Sequence, residues 1–197
     1  ELLNRAHVVH TVSGRERTLV LKHYPHVKEK VIVIPNGVDE DVCSYKWYGQ
    51  NSDYMVYAGR VEKYKRLELA VNVAKEMGLK LLIIGRGSYR DRLKRYAEKV
   101  YKGGVEFLEP QPREKYLELL SQAKYAINPS RHEAFSVFIA EALAIGTPAI
   151  VSKEIAENLE AQVKPLNNNL VLADKAFIRT WNEAVYRYLI IYTRENL

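Results

Sequence analysis

The chain is poor in several features that would assign it to common protein classes. Cys43 is the single cysteine among 197 residues, which excludes an internal disulfide and favours a reducing compartment. No apolar run has the length of a membrane span, and the first residues lack the pattern of a cleavable signal peptide. We therefore expect a cytoplasmic location, with peripheral contact at the inner membrane face left open. The absence of an initiating methionine suggests a piece of a longer protein.

Charge and aromatic content leave the kind of partner open. The formal net charge is +6, which suits an anionic ligand, an anionic membrane surface or nucleic acid. The fourteen tyrosines are scattered, however, and no RNA-binding motif accompanies them. The basic residues are also spread along the chain, and those at 90–95 have the helical spacing of a solvated face. We expect no nucleic-acid partner.

Residues 52–173 alternate regularly between apolar runs and amphipathic stretches. Five runs have strand length and the continuous hydrophobicity of strands covered on both faces, and a sixth at 170–172 suggests an edge strand. The five are 54–58, 79–84, 105–108, 125–127 and 149–151. Helical patterns lie between them at 66–77, 89–102, 113–123 and 137–145. This order predicts an α/β fold, a Rossmann-like parallel sheet with helices on both faces.

The two ends of the chain have a different pattern. Residues 7–12, 14–24 and 31–34 predict a single βαβ unit, which must dock on the main sheet or belong to a further domain. Residues 38–52 are typical of a linker. Residues 177–196 predict one or two amphipathic helices, whose aromatic stripe we interpret as a docking surface. The stripe consists of Trp181, Tyr186, Tyr188 and Tyr192.

The densest group of informative residues lies at 128–151. Ser136 and Gly146 are the expected N-cap and C-cap types around a helix, so Glu133 lies on the entering loop and Glu141 about one turn inside. Free N–H groups at the helix start could hold a phosphate between the two carboxylates. The glutamates are compatible with a general acid/base pair or with two unrelated residues, and their placement favours a site.

Two glycine-containing loops follow predicted strands. Gly59 lets the backbone pass close to a ligand, and Arg60 and Lys65 can reach one anion, although an isolated motif of this kind is more often a basic surface loop. Gly85 and Gly87 resemble the start of a dinucleotide fingerprint whose third glycine is missing. A tight strand-to-helix turn explains the second loop equally well.

The remaining candidates for chemistry carry less weight. His132 could act in acid/base chemistry, but a loop histidine beside an arginine is more often polar surface. Asp39 and Asp41 match the D-x-D pattern with which some transferases hold a metal, yet they follow a turn in the presumed linker, away from the strand ends. The other four histidines show no metal-site spacing. We interpret the aspartates as a solvated acidic turn and predict no metal site.

In combination these segments resemble the C-terminal, donor-binding half of the retaining glycosyltransferases of family 4, which have the two-domain GT-B architecture. The resemblance covers about residues 8–151 and depends on the order and spacing of seven short motifs. They are Thr11-Val-Ser, Val33-Ile-Pro-Asn-Gly-Val-Asp, Gly59-Arg60 with Lys65, Gly85-Arg-Gly, Ala126-Ile-Asn-Pro-Ser, Glu133-x7-Glu141 and Glu141-Ala-Leu-Ala-Ile-Gly-Thr-Pro. Each motif alone is modest evidence, whereas their common order and spacing are specific.

The resemblance implies distinct roles for the candidate residues. Arg60 and Lys65 would bind the donor diphosphate. Glu141 would take the ribose hydroxyls, and Glu133 would contact the transferred sugar near the reacting centre. Further donor contacts are implied for the strand-end glycines, for the backbone between the glutamates and for the segment against the base, namely Gly59, Gly85, Gly87, Phe135, Ser136, Val137, Leu108 and Gln111.

The resemblance also implies a reaction and a set of partners. A hexose would pass with retention, and without a metal or cofactor, from a UDP- or GDP-sugar to an acceptor sugar or lipid-linked sugar. Residues 1–36 would be the last βαβ piece of the protein's own N-terminal acceptor domain, 37–52 the hinge, and 53–197 the donor-binding domain. The last helix would pack back across the hinge. By itself this chain would bind the donor but transfer sugar poorly.

Four residues depart from the family pattern. Ala134 and Ser136 replace glycines in the glutamate loop, which implies an altered sugar pocket, while Glu109 replaces a glycine near the base and Arg66 replaces one after Lys65. Two alternative functions remain. One is a non-catalytic nucleotide-sugar-binding module on the same fold. The other is a nicotinamide-dependent dehydrogenase or sugar-nucleotide epimerase, disfavoured by the incomplete glycine fingerprint and by the lack of a suitably placed Tyr-x-x-x-Lys pair.

Overall fold

The N-terminal segment forms a small βαβ unit of its own. The computed structural model describes residues 2–194, with side chains described through residue 191. This unit contains two parallel strands and two helices: α1 (Leu2–Arg5), β1 (Val9–Thr11), α2 (Gly14–His23) and β2 (Val31–Val33). Ser13 begins α2 by accepting a hydrogen bond from the N–H of Glu16, whose carboxylate accepts one from the N–H of Val12. Because both donors are satisfied by neighbouring side chains, the helix start is fixed next to β1.

The rest of the chain is built on one seven-stranded sheet. Its strands are β3 (Tyr54–Ala58), β4 (Lys80–Ile84), β5 (Val105–Leu108), β6 (Tyr125–Asn128), β7 (Ala149–Ser152), β8 (Gln162–Pro165) and β9 (Leu170–Lys175). The spatial order is β5-β4-β3-β6-β7-β9-β8. The first five strands are parallel, and β9 pairs antiparallel with both β7 and β8. The chain leaves β3 toward one edge and returns on its other side at β6. This reversal creates a crevice at the carboxyl end of β3.

Helices cover the sheet and complete the core. They are α3 (Leu67–Met77), α4 (Arg90–Val100), α5 (Arg113–Gln122), α6 (Val137–Ile145), α7 (Lys153–Asn158) and α8 (Trp181–Arg194). Helix α6 is apolar on nearly every side and is correspondingly buried, with Glu141 as the charged exception. It ends at Gly146, whose φ of 96° lies in the left-handed region that favours glycine. The predicted α/β class, with a mainly parallel sheet between helices, is confirmed.

The β8 edge of the sheet differs from the sequence prediction. Residues 170–172 were expected to form an edge strand, but β9 lies between β7 and β8. All four residues of β8 are exposed, so the strand has no apolar run to reveal it. Helix α7 was also not predicted, because six residues are too few to show a helical period.

Residues 38–52, the predicted linker, pack against the helices of the seven-stranded sheet. Val42 lies on a 3₁₀ helix, Glu40–Ser44, and is fully buried. The Trp47 Nε1–H donates to the carbonyl of Ala123 at 2.9 Å. The Trp47 backbone N–H also donates to the carbonyl of Ile145 at 3.0 Å, so the linker segment is fixed against the ends of α5 and α6.

Contacts from α2 and α8 join the N-terminal unit to the main sheet. Arg15 on α2 pairs with Glu154 on α7 at 3.0 Å. In α8, the Trp181 N–H donates to the carbonyl of residue 38, and the Tyr188 hydroxyl lies 2.9 Å from Nε2 of His10. The predicted C-terminal helical region is thus one helix that contacts the linker and β1. The Tyr192 side chain and residues 195–196 of that prediction lie outside the described residues.

Candidate functional site

The carboxyl ends of β3, β4 and β5 open on a cleft of about 430 Å³. Ligands of open α/β sheets bind at this end of the strands, and the volume suits a small molecule. The cleft walls include Gly59, Arg60, Gly85, Arg86, Gln111 and Tyr116. Four of the predicted site residues therefore lie around one cavity, together with an arginine and a tyrosine that sequence reasoning did not select.

The glycines of the two strand-end loops allow backbone to pack against backbone. Gly85 has φ 138°, and a Cβ there would lie 2.1 Å from the carbonyl oxygen of Gly59. A Cβ on Gly87 would lie 2.1 Å from the carbonyl oxygen of Val61. Any larger residue would push the loops apart. Gly85 is therefore required by loop packing at the cleft wall, while Gly87 lies against Val61.

Lys65 and Glu133 form a largely buried ion pair. Lys65 ends the 3₁₀ helix Lys63–Lys65 after β3, and Glu133 lies on the loop before α6. The lysine Nζ is 2.8 Å from Oε1 and 2.6 Å from Oε2, and the two side chains are 10% and 16% exposed. One predicted cation and one predicted carboxylate are thus brought into direct contact.

Neighbouring side chains hold both loops of this ion pair. The Tyr57 hydroxyl donates to the carbonyl of Arg60 at 2.8 Å, and burial, followed by the charge of Glu133, raises the pKa of Tyr57. The Asn158 Nδ2–H donates to the carbonyl of Glu133 at 2.5 Å. Glu133 also lines a cavity of about 230 Å³ against α2, together with Arg15. Glu133 therefore borders the space between α2 and the main sheet.

Glu141 lies deeper, on the first turns of α6, and its side chain is 6% exposed. Arg113 at the start of α5 donates from Nη1 to Oε1 at 2.5 Å, and the Tyr116 hydroxyl donates to Oε2 at 2.5 Å. Burial, followed by the charge of Glu141, raises the pKa of Tyr116 well above its usual value. The phenol therefore stays protonated and acts as the donor at neutral pH.

The same arginine reaches the linker. Arg113 donates from Nε and Nη2 to the two carboxylate oxygens of Asp41 at 2.9 and 2.8 Å, and Asp39 lies 3.6 Å away. The hydrogen bond from Arg113 lowers the pKa of Asp41, and the hydrogen bond to Asp41 raises the pKa of Arg113. Asp41 is exposed, as expected for a solvated acidic turn, but that interpretation missed its bidentate tertiary contact with Arg113.

The start of α6 presents backbone N–H groups between Glu133 and Glu141 in the sequence. Ser136 occupies the N-cap position, but its hydroxyl accepts from the Asn128 Nδ2–H at 3.0 Å and makes no capping bond. An α-helix leaves its first N–H groups without intrahelical acceptors, so this end of α6 suits an anion. Val137 at the first helical position is exposed, and Phe135 lies on the wall of a small cavity facing the N-terminal unit.

The segment after β5 is held by ion pairs. The N–H of Gly85 donates to the carbonyl of Leu108 at 3.1 Å, joining this segment to the second glycine loop. Glu109 pairs with Arg86 at 2.6 Å and with Arg90 at 3.0 Å, and the Arg86 hydrogen bond lowers the pKa of Glu109. The Gln111 Nε2–H donates to the carbonyl of Glu109 at 2.8 Å on the same cleft wall.

The predicted absence of a metal site stays a prediction. Within the described part of the chain, the structure shows no group of three or more His, Cys, Asp or Glu side chains placed to hold a metal ion. His132 is exposed on the loop beside Glu133, and both residues line the cavity of about 230 Å³ next to α2.

The sequence profile of the family described as glycosyl transferases group 1 matches residues 48–190. The chain belongs to this family. The matched region begins in the linker and includes the whole seven-stranded sheet, which confirms the resemblance to the glycosyltransferase family.

Curated relatives match over part of their length. A GDP-mannose-dependent alpha-(1-6)-phosphatidylinositol dimannoside mannosyltransferase of Mycobacterium tuberculosis is 30% identical over 139 residues, which cover 64% of this chain and 36% of the relative. A probable sucrose-phosphate synthase of Thermosipho melanesiensis is 24% identical, covering 88% of this chain and 50% of the relative. The chain thus spans about a third to a half of these relatives.

Solved glycosyltransferase structures share the fold. S. aureus TarM, in a structure containing UDP, has a TM-score of 0.70 at 18% identity, covering 93% of this chain and 36% of TarM. Sucrose-phosphate synthase from Thermosynechococcus elongatus has a TM-score of 0.69 at 22% identity, covering 84% of this chain and 47% of the synthase. Helices long and apolar enough to cross a membrane are not found among the residues that the structure describes.

Proposed function

We propose that this chain is the donor-binding half of a retaining, metal-independent glycosyltransferase that uses a nucleotide-diphosphate sugar. Family membership supports the transferase class. The observation that carries the finer proposal is the cleft at the carboxyl ends of β3 to β5, with Arg60 on its wall. The Lys65–Glu133 pair, on the adjoining loops, and the start of α6 supply the remaining groups.

The charges suit a diphosphate. Arg60 is exposed on the cleft wall, and Lys65 has a third N–H beyond the two that Glu133 accepts. The first N–H groups of α6 add the positive end of a helix dipole. As the sugar leaves, negative charge grows on the pyrophosphate, and fixed cations and dipoles stabilise that charge best when they are already oriented.

Glu133 suits the other side of the reacting bond. Glu133 lines a cavity next to α2, where a donor sugar would meet an acceptor sugar or a lipid-linked sugar. We propose that the protein's own N-terminal domain, of which residues 1–36 are the last piece, supplies the rest of the acceptor site. The single cysteine supports a cytoplasmic location as part of this proposal.

The base would lie against the segment after β5. The cleft walls at this segment include Gln111 and the strand-end glycine Gly85. A relative is named for GDP-mannose and a structural neighbour contains UDP, so both diphosphates are suitable probes.

Calorimetry of UDP and GDP binding to the 197-residue chain tests this proposal. We expect one diphosphate to bind, and Arg60→Ala to weaken binding about tenfold, because a charge-assisted contact to phosphate is lost. Arg92→Ala, on the exposed face of α4, is the matched control and should bind as the native chain does. Added Mg²⁺ should change the affinity little.

Two results would contradict the proposal. Native affinity in both Arg60→Ala and Glu141→Ala would remove the site, and an absolute Mg²⁺ requirement would remove the metal-free mechanism. The alternative function, a non-catalytic nucleotide-sugar-binding module, is distinguished from an enzyme by assaying sugar transfer in a longer protein that joins this chain to its N-terminal half. Donor binding without sugar transfer in that longer protein would favour the module.

A further inference from the structure

The carboxylate of Glu141 is held by α5 next to Tyr116, which lines the cleft. The Glu141 side chain is 6% exposed, and Tyr116 is the residue of this group that lines the cleft. Tyr116 donates to one carboxylate oxygen and Arg113 to the other. The rotamer of Glu141 is therefore determined from α5, a different element from its own helix.

Burial makes a partner for this carboxylate necessary. An ionised carboxylate in a largely apolar helix is strongly destabilising unless it is paired and hydrogen-bonded. Among the described residues, Arg113 is the cation within ion-pair distance of Glu141. Arg113 is itself held by a bidentate contact to Asp41 of the linker. The fork geometry of a guanidinium allows both carboxylates to be bound at once, which a lysine cannot reproduce.

The contacts leave acceptor capacity on Glu141. Two carboxylate oxygens offer about four lone-pair positions, and Tyr116 and Arg113 use two of them. The remaining positions can accept two hydroxyl groups, provided that the carboxylate keeps its orientation. A vicinal diol such as ribose presents two hydroxyls with this spacing.

We propose that Arg113, held from behind by Asp41, is a positioning residue that orients Glu141 toward the ribose hydroxyls of a nucleoside diphosphate. This inference deepens the proposed function and rests on it. Because Asp41 lies on the segment between the N-terminal unit and the main sheet, the linker contributes to nucleotide recognition without touching the ligand.

Calorimetry with paired nucleotides tests this role. The native 197-residue chain is titrated with UDP and GDP and with their 2′,3′-dideoxy analogues, and the affinity ratio within each pair measures ribose recognition. We expect the native chain to prefer the ribose form about tenfold, because two hydroxyls donate to a carboxylate. Arg113→Met should reduce the ratio to within about twofold, chiefly by weakening the ribose form.

Three further variants complete the comparison. Arg113→Lys keeps the charge but not the fork and should give an intermediate ratio. Asp41→Asn should lower the ratio less than Arg113→Met does. Lys115→Met, on the same helix with an exposed ion pair to Glu118, is the matched control and should keep the native ratio. If Arg113→Met shows no cooperative thermal transition, Arg113→Lys and Asp41→Asn decide the question.

The outcomes separate this inference from the proposed function. A native ratio in the Arg113 variants, or an equal loss for the ribose and dideoxy forms, would overturn the positioning role alone. A native chain that binds nucleotide without preferring ribose would do the same and leave donor binding intact. Failure of the native chain to bind either diphosphate would overturn both.

Discussion

The loop around Glu133 and the helix around Glu141 solve the same electrostatic problem in different ways. Glu133 lies on a loop, is 16% exposed and has Lys65, from another loop, as its ion-pair partner. Glu141 lies within α6, is 6% exposed and has two partners from α5. One carboxylate therefore has a single point-charge partner beside an open cavity, whereas the other is held by a fork and a phenol.

This difference indicates different tasks for two glutamates of one motif. A lysine ammonium has rotatable donors on a flexible stem, so the Lys65–Glu133 contact can be shared with an arriving phosphate at modest cost. The contacts of Glu141 cannot be exchanged without leaving a buried carboxylate unpaired. The loop glutamate thus suits the part of the donor whose bonds and charge change during transfer. The helix glutamate suits a part of the donor that is bound but does not react.

Removing each cation should give the largest contrast in stability. We expect Arg113→Met to lower the free energy of unfolding by about 3 kcal/mol, because Glu141 is left buried without a cation. Lys65→Met should cost less, about 1 kcal/mol, because Glu133, although largely buried, is on a loop beside a cavity of about 230 Å³ into which it can turn. Urea denaturation of both variants at neutral pH measures the difference. Equal losses would show that the two carboxylates have the same environment, and Lys115→Met provides the baseline.

Removing one hydroxyl from each region should sharpen the contrast at smaller magnitude. Tyr116→Phe takes a donor from an ionised carboxylate and should cost about 2 kcal/mol. Tyr57→Phe takes a donor from the neutral carbonyl of Arg60 and should cost about 1 kcal/mol. Thermal unfolding of the two variants compares them directly. A larger loss of stability for Tyr57→Phe would contradict the claim that the stronger hydrogen bond is the one from Tyr116 to Glu141.

The parallel part of the fold could be predicted from the sequence because its strands are continuous apolar runs. The predicted bounds 54–58, 105–108 and 137–145 coincide with β3, β5 and α6. The antiparallel edge could not be predicted in the same way. Strand β8 is exposed along its length, and its position depends on pairing with β9 rather than on its own pattern.

The site was predictable where chemistry lies at strand ends and unpredictable where it depends on tertiary pairs. Arg60 and Gly85 were selected because they follow strands, Gln111 was implied by the family resemblance, and all three line one cleft. Arg113 meets Glu141 across 28 positions of sequence and Asp41 across 72. No periodic pattern records a contact of that range. The available signal was Arg113 and Tyr116 three positions apart on one predicted helix face, next to the segment assigned to the base.

The smallest expected effect is on the pH dependence of stability, through the Asp41–Arg113 ion pair beside Glu141. The hydrogen bond from Arg113 lowers the pKa of Asp41 below its ordinary value of 3.8. Since the folded pKa is the lower one, the unfolded chain binds the proton more tightly. The contribution of Asp41 to stability is therefore complete above about pH 4 and is lost as the pH falls through the folded pKa. Asp41→Asn should remove that part of the acid-dependent loss of stability.

The measurement is urea denaturation from pH 5 to pH 2.5 for the native chain and the variant. We expect the two curves of unfolding free energy against pH to converge toward the acid end, where native Asp41 is protonated and its ion pair with Arg113 is lost. Asp53→Asn serves as the control, because Asp53 is 73% exposed and pairs at 3.3 Å with Lys80, itself 64% exposed. Surface pairs of that kind contribute little, so this variant should follow the native curve. Parallel curves for the native chain and Asp41→Asn would mean that Arg113 is held by Glu141 alone, and the linker would then have no electrostatic connection to the buried carboxylate.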